Sequence, residues 1–183
     1  ILAAKVNNVV QGLKYRAFNS RDVEFLDYTS YSGRSVYCRS LCFMLCKAAK
    51  DVFPNCRIVL RRPISKGYYC AIDKGDGSVF TEADLMKVDG RMKEISEADI
   101  PFRRHEVRLE EAIELFSSLG YTDKVKLLQT SADVYTHYYT LEDTPDYYYD
   151  ALVPSTGYVR LWGLSMFKGG ILLRVPDRHN PGQ

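Results

Sequence analysis

The chain has 183 residues, 46% hydrophobic and 26% charged, with 25 basic and 23 acidic side chains and a net charge of +2. That supports one core, or a core with a small satellite, and excludes a disordered tail or a strongly basic nucleic-acid arm. The longest apolar-rich run, residues 41–49, is interrupted by Lys47 and falls far short of the roughly 20 residues of a membrane span, so a soluble, cytoplasmic chain with no membrane partner is expected.

In chain order, residues 1–31 read as short strands: ILAAKV, then GLKYRAF after Asn7, Asn8 and the turn-prone Gln11-Gly12, then DVEFLDY. Gly33 and Ser35 lead into a predicted helix over 36–53, stopped by Pro54. Its apolar residues surround most of the cylinder, which marks a buried central helix. RIVL and GYYCAID follow as strands, with Gly75-Asp76-Gly77 as hairpin chemistry. Thr81 and Asp84 form an acidic capping box before an amphipathic helix with Leu85, Val88, Met92 and Ile95 on its apolar face. A strand at 102–107 precedes a helix with Ala112, Ile113, Phe116 and Leu119, closed by Gly120, and a weaker helix at 121–129. The remainder is strand-rich, as VYTHYY, YYYDALV, GYVRLW and GGILLRV, before a linker-like 177–183. The pattern is α+β, with helices packed on antiparallel sheet around a buried central helix.

Cys38, Cys42 and Cys46 lie on one helical stripe. Successive sulfurs advance about 6 Å along the axis, so the first and third cannot share one tetrahedral zinc, and buried small hydrophobes are expected. Arg39 shares a stripe with Phe43 and Lys47; in a buried helix its guanidinium is either tied to a carboxylate such as Asp150 or exposed in a cleft awaiting an anion. Tyr147, Tyr148 and Tyr149, on a strand, would alternate between faces. His105, His137 and His179 show no metal-ligand spacing; His137 faces the same side as Tyr135 and Tyr139. Arg57, Arg61, Arg62 and Lys66 form a candidate anion or RNA patch, opposed elsewhere by Glu142, Asp143, Asp146 and Asp150.

Four spaced motifs carry a resemblance. The helix YCRSLCFMLCKAAKDVFP and strand GYYCAID, then FTEADLMKVDGRMKEI and PFRRHEVRLEEAIELFSSLGYTDKVKLL occur in the order found in the second additional, or editing, domain of threonyl-tRNA synthetase. Residues 1–31, through Val6, Asn7, Asn8, Val10 and Leu13, resemble the C-terminal half of a β-grasp TGS module, so the start at Ile1 reads as a piece of a longer protein. The family's H-x-x-x-H pair falls on Arg39 and Phe43, and its C-x-x-x-H-V-P falls on Tyr148 to Pro154, with Tyr148 and Leu152 at the cysteine and histidine. A guanidinium, a phenyl ring and an isobutyl group neither ligate a metal nor take a proton, and a phenol is a poor base at neutral pH. The resemblance therefore implies an editing fold with no catalytic residues and no metal.

The same residues resemble more closely the N-terminal region of bacterial uridine kinase-like nucleoside kinases, which read Y-R-R-S-L-x-F-L-L-x-K-A at this helix and L-V-P-S-T-G-Y near the end. That resemblance implies a TGS-like half-module over 1–31, an editing-like domain over 32–176 and a linker over 177–183 towards a kinase domain. No G-x-x-x-x-G-K-[ST] occurs in this chain, so no cofactor is expected here; ATP and Mg would serve that kinase domain, the expected partner. The expected function is a non-catalytic accessory or regulatory region. Its cleft, lined by Arg39, Phe43, Lys47, Tyr148, Leu152 and Arg160, would take a small anionic or nucleoside-like effector. Aminoacyl-tRNA deacylation and RNA binding are the alternatives, with tRNA the less favoured partner.

Overall fold

The computed structural model describes residues 1–64 and 67–177, with residues 62–64 described by backbone alone; most of the expected linker and Lys66 lie outside the described residues. The fold is α+β, with four helices and ten strands in three antiparallel sheets among the described residues. Two compact units emerge: Ile1–Pro101 with the described residues from Asp150 on, and Phe102–Tyr149. No helix among the described residues is long and apolar enough to cross a membrane.

In the first unit, β1 (Ala3–Val6), β2 (Val9–Gln11) and β3 (Val23–Leu26) pair in the order β2-β1-β3. Asn7 and Asn8 both take positive φ, 45° and 65°, in the two-residue turn between β1 and β2, a conformation that asparagine tolerates and strand twist favours. The second strand is therefore Val9–Gln11 rather than the expected GLKYRAF. The loop that follows returns to this turn, where Asp22 N–H donates to Asn7 Oδ1 at 3.0 Å.

Helix α1 (Tyr31–Val52) starts five residues before the expected position. Ser30 caps it, its hydroxyl accepting from Gly33 N–H at 3.1 Å. Gly33 is no breaker here: it sits in the first turn because a Cβ at that point would run into the Asp27 carbonyl oxygen. Val36, Leu41, Phe43, Met44, Leu45, Ala48 and Ala49 are completely buried, as a helix apolar nearly all round requires.

Strands β4 (Arg57–Ile64), β5 (Gly67–Asp73), β9 (Gly163–Phe167) and β10 (Gly170–Arg174) form a sheet in the order β4-β5-β10-β9. Pro63 is accommodated because β4 is an edge strand whose register shifts between Leu60 and Pro63. Gly75 and Gly77, with φ 78° and 76°, do not close a hairpin; they turn the chain from β5 into α2 (Glu82–Glu97). The capping box is present, with Thr81 Oγ1 and the Asp84 carboxylate bonding each other's backbone N–H, and Leu85, Val88, Met92 and Ile95 are buried as expected.

Two expected strands are absent. YYYDALV and GYVRLW are extended or turning segments, the latter containing a single 3-10 turn at Thr156–Tyr158. Their backbone groups bond to side chains of α1 instead of to a strand: Ala151 O accepts from Arg39, Val153 N–H donates to Ser40 Oγ, and Tyr37 Oη both donates to Leu161 O and accepts from its N–H. Among the strands missed by sequence reasoning, β9 pairs with β10 across a Lys168-Gly169 turn with φ 47° and 74°.

In the second unit, β6 (Phe102–Arg108), β7 (Tyr135–Leu141) and β8 (Thr144–Asp146) pair in the order β6-β7-β8. Helices α3 (Leu109–Ser118) and α4 (Thr122–Gln129) supply a core of Ala112, Phe116 and Leu128, joined by Val107, Tyr138 and Tyr147. Gly120, at φ 73°, ends α3 as read from the sequence.

Two glycines of helices give opposite expectations. Gly33→Ala lowers the unfolding free energy by about 1–3 kcal/mol through overpacking against Asp27. Gly90→Ala, in α2 with nothing near the added methyl, raises it by about 0.5–1 kcal/mol. Urea midpoints of the two variants test the contrast.

Candidate functional site

The site expected from the sequence centres on the Arg39, Phe43 and Lys47 stripe of α1. Phe43 is completely buried, and Leu152, in the segment lying over α1, is 3% exposed. The Arg39 guanidinium sits 3.3 Å from Asp150 Oδ2 and donates through its other terminal nitrogen to Ala151 O at 3.1 Å. The Asp150 pairing is one of the two roles the sequence leaves open. Its Nε–H is nevertheless buried with no acceptor among the described residues. Asp150 itself is 58% exposed, so the ion pair stands open to water on its acidic side.

Lys47 is not a cleft residue. Its ammonium is buried 2.8 Å from Asp51, whose other oxygen holds Arg91 of α2 at 2.9 Å, and Arg91 reaches Glu94. A chain of alternating charges thus joins α1 to α2. The Asp51 carboxylate, one helical turn away on the same helix, offsets the burial of the Lys47 charge.

Tyr148 belongs to the second unit, where its ring lies 5.3 Å from the Lys124 ammonium. Arg160 is exposed and donates to Gly157 O at 2.8 Å. It lines two adjoining grooves of about 440 and 470 Å³ with Lys93 and Trp162, where the Trp162 indole donates to Asp89, itself paired with Lys93 at 2.6 Å. Arg39, Phe43 and Leu152 line neither groove. Arg160 and Arg39, both in the first unit, thus line no common groove among these two, and Tyr148 is described with the second unit.

Sequence reasoning missed Ser40 and Tyr37. Ser40 is fully buried, donating to Val36 O at 2.8 Å and accepting from Val153 N–H at 3.0 Å. Its signal was a hydroxyl in the buried stretch of the helix, next to Leu41 and Cys42, which needs a partner beyond its own turn. Tyr37, whose hydroxyl grips Leu161, has its pKa pushed up to about 12 by burial. Burial also raises the thiols of Cys38 and Cys56, and pushes Cys70 up to about 12. These three thiols stay protonated at neutral pH and are poor nucleophiles. All five cysteines are buried and free.

Of the basic patch, Arg57 and Arg61 are exposed on edge strand β4, with Arg57 opposite Asp73; the Arg62 side chain and Lys66 lie outside the described residues. His105 meets Thr140 Oγ1 at 2.8 Å, and His179 lies outside the described residues. His137 is held below the ordinary imidazole value, first by burial and then by the nearby Arg104 charge. Among the described residues no cluster of three or more His, Cys, Asp or Glu side chains is placed to hold a metal.

Removing the Ser40 hydroxyl leaves the buried Val153 N–H unpaired, so Ser40→Ala costs about 1–3 kcal/mol. Arg39→Met breaks a partly exposed pair and keeps the packed stem, and costs at most about 1 kcal/mol; chemical denaturation ranks the two. For His137, the unfolded imidazole takes up a proton at higher pH than the folded one, so stability falls as pH drops through the region below about 6.5. His137→Asn flattens that part of the pH–melting profile.

No family model matches the chain. Over 169 residues, 92% of this chain and 26% of the relative, it is 31% identical to the threonine--tRNA ligase of Desulforamulus reducens. It is 26% identical over 160 residues to that of Azobacteroides pseudotrichonymphae, covering 87% of this chain and 25% of the relative. The threonine--tRNA ligase of Methylobacillus flagellatus is 28% identical over 169 residues, 92% of this chain and 26% of the relative. The chain thus spans about a quarter of the length of the curated relatives it matches. Over about nine-tenths of its length the chain is similar to threonine--tRNA ligases, and its α+β architecture is consistent with an editing-type domain.

Proposed function

We propose that the chain is a non-catalytic accessory region of a larger protein, an editing-type domain whose reacting groups have been replaced. The observation that carries this reading is the burial of Phe43 and Leu152, 0% and 3% exposed, at two of the four positions where the resemblance calls for histidine or cysteine. Proton transfer and metal binding need polar side chains that reach the substrate, and an apolar, closed pair offers neither. The third position, Arg39, carries donors only and has two of its nitrogens engaged.

The resemblance to uridine kinase-like nucleoside kinases supports a reading in which the region precedes an ATP- and Mg-dependent kinase domain in a cytoplasmic protein, with that domain as its first partner. Arg39 supports a regulatory role for a small anionic or nucleoside-like effector: an anion displacing the solvent-facing Asp150 carboxylate would meet the guanidinium edge and the unused Nε–H. The likeness to threonine--tRNA ligases keeps aminoacyl-tRNA deacylation as the second reading.

Three outcomes are expected. The reading frame continues past Gln183 into a domain with a P-loop. Mischarged tRNA incubated with the protein, with or without added Zn²⁺, releases amino acid at the spontaneous rate; enzyme-dependent release would overturn the non-catalytic reading. In thermal unfolding with inorganic phosphate or a nucleoside monophosphate, the wild-type chain and Asp150→Ala are stabilised by about 2.7 kcal/mol at a hundredfold excess over Kd, and Arg39→Ala is not.

A further inference from the structure

We propose that the groove between α2 and residues 160–164 binds a small aromatic monocarboxylate, its ring against Trp162 over Gly90 and its carboxylate on Arg160. Every residue of this groove belongs to the first unit. Arg39, Phe43 and Leu152 line no part of it, so the proposal stands apart from the Arg39 reading.

Gly90 sits in the middle of α2, where glycine is a costlier choice than alanine. A Cβ built there meets nothing within 4 Å, so no contact inside the protein asks for the missing side chain. Glycine at such a point lets a group from outside come close to the helix backbone. The notch belongs to the groove of about 440 Å³, within the roughly 300–1,000 Å³ of small-molecule sites. Beside it the lining is apolar and open: Met86 is 70% and Leu161 47% exposed, next to Leu164 and Trp162.

The Trp162 ring is held in place. Its indole N–H donates to Asp89 Oδ1 at 2.9 Å, and the other Asp89 oxygen takes the Lys93 ammonium at 2.6 Å. With its one polar atom engaged, the indole has only ring surface left to offer, which suits a flat aromatic partner. Asp89 and Lys93 cancel each other's charge, so neither is left to hold an ionic ligand.

Arg160 supplies the charge that remains. Its Nε–H donates to Gly157 O at 2.8 Å, which orients the guanidinium while its two terminal nitrogens have no partner among the described residues. That planar fork matches a carboxylate bidentately. One unpaired cation calls for one negative charge. A phosphate dianion would bring a second, with Glu82 and Asp89 lining the same groove and Glu97 and Asp99 the adjoining one.

The chain has a single tryptophan, Trp162, so its emission reports on this groove alone. In the test, phenylacetate is titrated into the whole chain while that emission is followed, with phenylacetamide, acetate and inorganic phosphate as controls. Phenylacetate is expected to give a saturable change, and acetate and phosphate none. Phenylacetamide binds about tenfold more weakly because it lacks the charge-assisted pair of hydrogen bonds, and Arg160→Gln weakens phenylacetate about tenfold for the same reason. Gly90→Ala weakens it about tenfold by filling the notch, yet its urea midpoint is at or above that of the wild type, so the loss is not one of folding. Saturating phosphate, the probe of the Arg39 reading, leaves the phenylacetate affinity unchanged. No saturable response to phenylacetate overturns the proposal. So does equal binding of phenylacetamide or acetate, competition by phosphate, unchanged affinity in Arg160→Gln or Gly90→Ala, or a concentration-dependent dimer that Gly90→Ala disperses.

Discussion

The first unit is arranged around a helix with no wet face. Because α1 is apolar nearly all round, chain must lie against it on every side, and some of that chain has no sheet to complete its hydrogen bonds. A buried amide left unpaired costs about 1–3 kcal/mol. The polar atoms that α1 does carry remove that cost: Tyr37, Arg39 and Ser40, within four consecutive residues, bond the backbones of Leu161, Ala151 and Val153. One helical turn thereby anchors residues 151, 153 and 161, and with them Leu152, while Ser96 and the Ile95 carbonyl of α2 hold Val159 and Thr156 of the 3-10 turn between them.

The same constraint explains how a site can lose its chemistry without losing its fold. A catalytic histidine or cysteine inside this packing would need solvent access or a bonded partner, each at some cost to the core. Phe43 and Leu152 fill their positions with apolar volume and ask for no partner. Arg39 is the residue that still departs from good packing, since a buried Nε–H without an acceptor is what a purely structural position would have eliminated.

Much of this was legible in the chain itself. The capping box at Thr81 and Asp84, the buried stripe of α2 and the central helix follow from spacing and composition, and local chemistry prevailed in all three. YYYDALV and GYVRLW misled because aromatic and branched residues favour strands, yet hydrogen bonds to α1 overrode that preference, which no local pattern records. β9 was overlooked because GLSMF has no β-branched residue; the Lys168-Gly169 turn and its register with β10 define it. The start of α1 was hidden by Gly33, whose reason is a carbonyl four residues outside the helix rather than a turn. For the site, the Arg39–Asp150 pairing was readable as one of two options, while the hydrogen bonds that Ser40 and Tyr37 make to the 151–161 segment link residues more than a hundred positions apart and leave no local pattern.

Strand β10 carries a consequence for how the molecule is made. It lies between β5 and β9, pairing Ile171 with Cys70 about a hundred residues away, so the four-stranded sheet is the last thing to close. During synthesis α1 leaves the ribosome long before its cover, and its apolar sides stay exposed while residues 102–149 are translated. The second unit, whose contacts are local and whose core is its own, can fold during that interval and shorten the loop that β10 must bridge. Its insertion between the two parts of the first unit thus puts closure of the four-stranded sheet after residue 174 in the order of synthesis.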